Sequence, residues 1–295
     1  MMNSSAKGVL CALITIVLWS FTMIWSKVLL EECFQPFSLL ITRFVLAYIV
    51  LWIICPRPFR FSGWKNEAPY ILCGIFGVTL YFLAEYQALT YTLASIVGIL
   101  VAVSPLITAF IVWARYHEKP RKSFFGGLAL ALAGVVLVSI NGSQAVPLNV
   151  FGVAFSLLGA LLWALYTVAM REAGAEVDGV RPDMLQVTRR VFFWGIIAML
   201  PCLPVFGYHV DFATLGSPSV LLNLGCSVLL ASAVGYVTWN IAIKHLGALK
   251  ASVFQLCIPA LTLFIAALVL GDPITPMALV GVVLVVGGLA VSQYA

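Results

Sequence analysis

Apolar residues run through the chain in ten long segments, separated by short polar connections. Each segment is close to the roughly 17 to 25 residues that an α-helix needs to cross a bilayer. The pattern therefore predicts ten transmembrane helices, over Gly8–Trp25, Ser38–Cys55, Pro69–Thr90, Leu93–Trp113, Phe124–Ile140, Val150–Met170, Val191–Val205, Ser217–Ile243, Ala251–Leu270 and Pro276–Ser292. Two of these are short, so the existence of the helices is better defined than their ends.

The second half of the chain repeats the first. The stretch Gly8–Lys27 reads GVLCALITIVLWSFTMIWSK, and Gly152–Arg171, 144 positions later, reads GVAFSLLGALLWALYTVAMR. A shift of 154 aligns the later parts and places Pro105 on Pro259. We therefore predict two units of five helices each, residues 1–143 and residues 149–295.

Composition places the chain in lipid. Only 9% of its residues are charged and its mean hydropathy is +1.09, whereas a soluble domain is about 25% charged. The seven cysteines form no C-x-x-C pair, so we expect no disulfide framework, no metal and no cofactor. The sequon Asn141-Gly142-Ser143 is too short a pattern to carry weight.

The basic residues predict an orientation. If the N-terminus is cytoplasmic, all of the 16 lysines and arginines except Lys27 and Arg43 fall on or near the cytoplasmic side, as the positive-inside rule requires. Both termini are then cytoplasmic, and the first helix is a retained span because no cleavage site follows it. Since five is an odd number, the second unit enters from the opposite face. The predicted fold is an all-α membrane protein with two inverted five-helix repeats.

Polar side chains recur on one face of the first helix. Cys11, Thr15, Trp19, Thr22 and Ser26 follow helical spacing, and in lipid such faces turn toward protein or a water-filled cavity. Trp163 and Tyr166 hold matching places in the second repeat. For Thr15 and its counterparts close helix packing is the favoured explanation, whereas the two tryptophans fit the wall of a central site as well as they fit a packed core.

Glu85 is the most informative ionisable residue in the sequence. It shares a face of the third helix with Tyr81 and lies about 8 Å below the outer surface at 1.5 Å per residue. A carboxylate at this depth needs protonation, a partner or water. It is a candidate proton carrier or substrate contact, and the alternative is a structural bond to Lys27, Arg43 or a tyrosine. The matching positions of the eighth helix are Trp239 and Asn240.

The ninth helix carries Gln255 one turn before Pro259. Gln255 is a candidate substrate contact. Pro105 and Pro259 each remove a backbone hydrogen bond. Each proline is therefore either part of a bending gate or a tolerated kink, and the sequence favours neither interpretation. Small-residue faces for close helix contact are predicted at Gly127, Ala131, Gly134, Gly281 and Gly288. The two arginines of the repeated Thr-Arg pairs, Arg43 and Arg189, are expected to reach an interface or to pair with a carboxylate.

These features resemble the drug/metabolite transporter superfamily, EamA type. The resemblance rests on the inverted repeat, the segment LWSFTMIWSK, and the S-P and I-P pairs at Pro105 and Pro259, each followed by an acidic residue at Glu118 and Asp272. It implies a basket of ten helices, in which helices one, three, four, six, eight and nine line a central cavity. It also implies a small organic substrate, in many members exported.

We therefore predict a secondary transporter of the cytoplasmic membrane that exports an amino acid or an aromatic or amphipathic compound by alternating access. Protons are a candidate coupling ion. An uncoupled facilitator or exchanger of metabolites or cationic drugs is the alternative. No enzymatic constellation, nucleic-acid partner or required oligomer is predicted. The candidate cavity residues are Trp19, Thr22, Tyr81, Glu85, Trp163, Tyr166, Trp239, Asn240 and Gln255, and the candidate gating residues are Pro105 and Pro259.

Overall fold

The computed structural model describes residues 3–57, 61, 63–92, 94–139, 149–176, 182–270 and 274–293. Within these ranges the chain forms helices joined by turns, with an isolated antiparallel bridge between Phe34 and Val210. We number the helices in chain order: α1 Ser4–Glu32, α2 Pro36–Ile54, α3 Trp64–Tyr91, α4 Ile96–Tyr116, α5 Lys122–Ser139, α6 Val150–Ala173, α7 Met184–Phe206, α8 Pro218–Phe254, α9 Cys257–Leu270 and α10 Pro276–Gln293.

The helices α1 to α8 are long and apolar enough to cross a membrane, and α9 and α10 are shorter apolar helices. The chain is thus an all-helical, multi-pass membrane protein. Gly247 divides α8, because its φ of 81° and ψ of 160° are not helical. The break falls between the predicted segments Ser217–Ile243 and Ala251–Leu270. Ten spans with both termini cytoplasmic remain a prediction.

Helix ends extend beyond the apolar segments. α1 begins at Ser4 and ends at Glu32, several residues outside the predicted Gly8–Trp25. Polar side chains fix several starts: the side chains of Asn149, Asp183 and Ser217 accept backbone N–H groups in the first turns of α6, α7 and α8. Such caps satisfy donors that have no partner within the helix. The predicted ends Leu93 and Ile140 and the sequon at 141–143 lie outside the described residues.

Matching positions of the two repeats are π-helical. Residues Gly74–Leu80 in α3 and Ser227–Val234 in α8 adopt the wider helix, and the shift of 154 superposes these segments. Close packing accompanies both: a Cβ on Gly77 would meet the Tyr166 ring at 2.3 Å, and one on Gly235 would meet Nε1 of Trp19 at 2.7 Å. π-helical turns of this kind recur at functional sites.

Two turns also match between the repeats. α4 is interrupted at 102–103, just before Pro105, and the chain between α8 and α9 turns at 255–256, just before Pro259. Gln255 and Leu256 continue the chain with 3₁₀-type bonds to Ser252 and Val253. Both candidate gating prolines thus follow an interruption of their helix, a geometry in which proline's missing N–H costs little.

α5 and α10 form a close pair through glycines. A Cβ on Gly127 would lie 2.5 Å from the Gly288 carbonyl oxygen, and one on Gly134 would lie 2.5 Å from that of Gly281. The backbones therefore touch, as small-residue interfaces in membranes allow. The predicted role of these glycines in helix contact is confirmed.

Candidate functional site

Six aromatic side chains from the two halves of the chain meet in one cluster. It consists of Trp19 on α1, Tyr81 on α3, Trp163 and Tyr166 on α6, and Tyr236 and Trp239 on α8. The Trp19 ring centroid lies 5.4 Å from those of both Trp163 and Trp239, and Tyr81 lies 4.9 Å from Trp163. The structure thus brings together five of the predicted cavity residues. We call these six side chains the aromatic cluster.

Two indole N–H groups of the aromatic cluster are buried and have no partner in the part of the chain that the structure describes. Trp19 donates its Nε1–H to the Ala231 carbonyl at 3.0 Å. Trp163 is 4% exposed and Trp239 is fully buried, and neither Nε1 has a hydrogen-bond acceptor among the described residues. A buried donor without a partner costs about 1–3 kcal/mol. Such a cost is typical of positions that a ligand or ordered water completes.

A buried hydrogen-bond chain supports one side of the cluster. Tyr166 donates its hydroxyl to Asn240 Oδ1 at 2.6 Å, and Asn240 Nδ2 donates to Thr188 Oγ1 at 2.9 Å. Thr188 in turn donates to the Met184 carbonyl. All three side chains are fully buried. The polar atoms of Tyr166 and Asn240 are therefore engaged by neighbours from α6, α7 and α8, and they fix the position of the Tyr166 ring.

Glu85 is bonded within its own helix. Tyr81 donates its hydroxyl to Glu85 Oε1 at 3.0 Å, one turn away. The Tyr81 ring packs against Trp163, so the carboxylate and the aromatic cluster are joined through a single tyrosine. Of the alternatives that the sequence left open, the structural bond to a tyrosine is present. The second carboxylate oxygen of Glu85 takes no part in this bond.

The remaining candidate residues are not members of the aromatic cluster. Thr22 is half-buried and donates its hydroxyl to the Leu18 carbonyl of its own helix. Gln255 is half-buried in the turn that precedes α9. Pro105 is buried and Pro259 half-buried at the two helix interruptions. These positions fit the approach to a site better than its centre.

The expected role of Arg43 is wrong, whereas that of Arg189 stays a prediction. Arg43 neither reaches an interface nor forms an ion pair with any described carboxylate: it is 3% exposed, and its Nε donates to Ser232 Oγ on α8. Its guanidinium stands 5.3 Å from the Phe82 ring centroid. Arg189 donates to the carbonyls of Cys55 and Arg57 at the end of α2. Arg43 is thus held in the interior of the bundle, whereas Arg189 contacts the chain just past the end of α2.

A charged contact joins α4 to α6 at one end of the bundle. Arg171 donates to both oxygens of Glu118 at 2.6 and 2.8 Å, and Arg115 donates to Glu172 at 2.7 Å. Tyr116 lies under the Arg171 guanidinium at 4.3 Å and donates to Glu172. We call these five residues the α4–α6 clamp. The hydrogen bonds from Arg171 lower the pKa of Glu118 below its ordinary value.

The backbone conformation of His117 positions Glu118 for the clamp. Its φ of 57° is left-handed, so the chain reverses at the end of α4 and brings Glu118 back toward α6. Beneath the clamp, Val112 of α4, Val168 of α6 and Ala248 pack together and are nearly inaccessible. The clamp and this apolar layer hold both halves of the chain together at that end. Asp272, the counterpart of Glu118, lies outside the described residues.

Comparison with known proteins gives the family. The model of the EamA-like transporter family matches residues 6–140 and again residues 150–293. The chain belongs to the EamA-like transporter family. It is a membrane transporter by family, consistent with the drug/metabolite transporter superfamily.

Relatives of this EamA-like transporter carry transporter names. A protein of Clostridium kluyveri named "Uncharacterized transporter" is 29% identical, and the alignment covers 96% of this chain and 91% of that protein. The "Probable terminal-alkyne amino-acid exporter" of Streptantibioticus cattleyicolor is 24% identical, with 96% and 92% covered. A solved structure superposes with a TM-score of 0.74 at 20% identity, over 97% of this chain and 96% of that one, which supports the fold.

Some contacts around the candidate site of this EamA-like transporter are not predictable from the sequence. Tyr236 donates its hydroxyl to the Gly77 carbonyl of α3, and its ring contacts Trp19 and Tyr166. Tyr236 lies three residues before Trp239, and this helical spacing indicates that both side chains share one face of α8. Nothing in the sequence pattern marks Ser232 as the acceptor of Arg43, because that contact depends on how α2 packs against the π-helical segment of α8.

Proposed function

We propose that this EamA-like transporter is a secondary transporter of the cytoplasmic membrane that exports an apolar or aromatic amino acid or a related amphipathic compound. The proposal rests on the aromatic cluster between the two halves, in which the buried indole N–H groups of Trp163 and Trp239 have no hydrogen-bond acceptor among the described residues. An apolar pocket with a few polar anchors is the usual form of a small-molecule site.

The proposed mechanism is alternating access between two inverted five-helix repeats, residues 1–143 and 149–295, with ten spans and both termini cytoplasmic. The basic residues of the connections support this orientation, and it places the α4–α6 clamp on the cytoplasmic side. In the proposed cycle the clamp closes the cytoplasmic end and opens to admit substrate. Eight residues separate Trp163 from Arg171 along α6, so the clamp lies about 12 Å from the aromatic cluster.

Helix interruptions support movement near the proposed site. The turns before Pro105 and Pro259 lie at matching places of the two repeats, and Gln255 belongs to one of them. Broken helices at matching positions are a common feature of secondary transporters. We propose that α4 and α9 bend at these turns and that Thr22 and Gln255 contact substrate on its way to the aromatic cluster.

Glu85 is the proposed proton carrier. Its bond to Tyr81, which itself contacts Trp163, gives a route by which occupancy of the aromatic cluster affects the carboxylate. Transport by Glu85→Gln in proteoliposomes should lose its dependence on a pH gradient. Unchanged pH dependence in this variant would contradict the role, and transport insensitive to uncouplers would favour the uncoupled facilitator.

A thermal-shift screen of the purified protein tests the proposed substrate class. A ligand that binds the folded state raises the melting temperature by mass action. We expect shifts with apolar or aromatic amino acids, and their loss in Trp163→Phe, which keeps an aromatic ring but removes the indole N–H. Trp64→Phe, a change at a 71% exposed tryptophan outside the cluster, is the matched control. Stabilisation by sugar phosphates alone would contradict the proposal.

A further inference from the structure

Arg43 is a buried cation with little to neutralise it. It lies seven residues from the start of α2, about 10 Å along the helix, and is 3% exposed. Arginine carries five N–H donors. Of the described residues, Ser232 alone accepts a hydrogen bond from it. A charged side chain within a membrane helix is expensive and usually has a functional reason.

The repeat provides a contrast. Arg189, the counterpart of Arg43 in the second Thr-Arg pair, directs two nitrogens to the carbonyls of Cys55 and Arg57. That arrangement uses backbone oxygens just past the end of α2 and ties α7 to α2, which is a structural role. Arg43 has no such carbonyls among the described residues. The two repeats therefore use the same residue differently.

Arg43 and Glu85 lie around the same phenylalanine without joining. The guanidinium of Arg43 stands 5.3 Å from the Phe82 ring centroid, and Glu85 follows Phe82 by three residues on the same face of α3. No described ion pair connects them: Glu85 accepts a hydrogen bond from Tyr81, and Arg43 donates one to Ser232. A basic and an acidic side chain thus flank the same phenylalanine, and each is hydrogen-bonded to a neutral hydroxyl.

We propose that Arg43 is the anion anchor of the transported molecule and determines specificity for substrates that carry a carboxylate beside an ammonium group. The substrate carboxylate takes the free guanidinium donors of Arg43, and its ammonium group faces Glu85. A zwitterion placed in this way neutralises both protein charges, whereas a simple amine leaves Arg43 buried without an anion. This inference rests on the proposed function and narrows its substrate class.

Binding of matched ligands to the purified full chain tests the inference. The probes are L-phenylalanine and L-leucine, with their decarboxylated amines phenethylamine and isopentylamine, and dissociation constants are measured by titration calorimetry. Because a hydrogen bond to a charged group is worth about 1.5–3 kcal/mol, the wild-type protein should prefer each amino acid over its amine by roughly tenfold to a hundredfold. Arg43→Gln should reduce that preference to less than threefold, and Arg43→Lys should retain part of it.

Ser232→Ala separates this role from a structural one. It removes the protein acceptor of Arg43 but leaves the guanidinium, so the preference for the amino acid should persist. If Ser232→Ala abolishes the preference as Arg43→Gln does, Arg43 acts by tying α2 to α8 and the inference fails. Equal affinity of the wild-type protein for amino acid and amine overturns the inference while the proposed function stands. If the wild-type protein binds neither class, both fail. These wild-type outcomes hold even if an Arg43 variant does not fold.

Discussion

Arg171 at the end of α6 and Glu118 after α4 form a two-pronged ion pair, with N–O distances of 2.6 and 2.8 Å. The contact joins the two halves of the chain, and the planar guanidinium matches both carboxylate oxygens. Both side chains are partly exposed, so the pair contributes about 0.5–1 kcal/mol at most. A contribution of this size is small enough for the clamp to open and close as proposed above.

Charge reversal tests the clamp. Arg171→Glu places two carboxylates together and should change the transport rate severalfold, because it destabilises the closed end. Adding Glu118→Arg should restore most of the wild-type rate, measured in proteoliposomes at low salt. Lys27→Glu, at a position where the lysine is 63% exposed and pairs only with Glu31 of its own helix among the described residues, serves as the control for the change in net charge. Failure of the double reversal to restore transport would contradict the clamp.

The pH dependence of the pair follows from the lowered pKa of Glu118. A carboxyl whose pKa is lowered in the folded protein contributes stability at pH values above its ordinary pKa and loses it as the pH falls through the lowered pKa. The interaction between Arg171 and Glu118, measured by a double-mutant cycle on melting temperature, should therefore persist near pH 4.5, the ordinary value for glutamate. An interaction already lost between pH 6 and pH 5 would show that the pKa is not lowered.

The glycine contact between α5 and α10 gives a stability prediction with a neighbouring control. Gly127→Ala forces a methyl group to within 2.5 Å of the Gly288 carbonyl oxygen, so the helices must separate and the melting temperature should fall by several degrees. Gly126→Ala adds the same group where no atom lies within 4 Å and should leave the melting temperature unchanged or raise it, since alanine favours helix. Equal effects of the two variants would be inconsistent with the close contact.

The buried chain from Tyr166 through Asn240 to Thr188 predicts a large effect of a small change. Asn240→Leu removes both hydrogen bonds of the amide and leaves the Tyr166 hydroxyl buried without its acceptor, at a cost of about 1–3 kcal/mol. Tyr166→Phe in the same protein should then cost little more, because its partner has already gone. Melting temperatures of the two single variants and the double variant measure this coupling, and strict additivity would contradict it.

Much of the helical framework follows from the sequence, because a bilayer requires long apolar segments and satisfied backbones. Every predicted segment overlaps a helix, and Trp19, Trp163 and Trp239 meet as the polar stripes indicate. The π-helical segments are not readable in the sequence. They depend on close contacts between distant residues, such as Gly77 against the Tyr166 ring, and these exist only after the helices have packed.

Arg43 shows why the surroundings of some side chains cannot be predicted from the sequence. The sequence suggested an arginine that reaches an interface or pairs with a carboxylate, yet α2 packs against α8 in such a way that the guanidinium turns inward to Ser232. Depth along one helix does not reveal which neighbour covers a given face. Glu85, in contrast, was identifiable, because its tyrosine partner lies one turn away on the same helix and local spacing predicts that bond.

Flux of labelled apolar and aromatic amino acids through proteoliposomes that contain the purified protein tests directly whether the aromatic cluster is the transport site. We expect saturable, protein-dependent flux that Trp163→Ala abolishes and that Trp64→Ala leaves intact. Absence of flux for every compound of this class, or equal flux in Trp163→Ala and wild type, would contradict the claim that the aromatic cluster is the transport site.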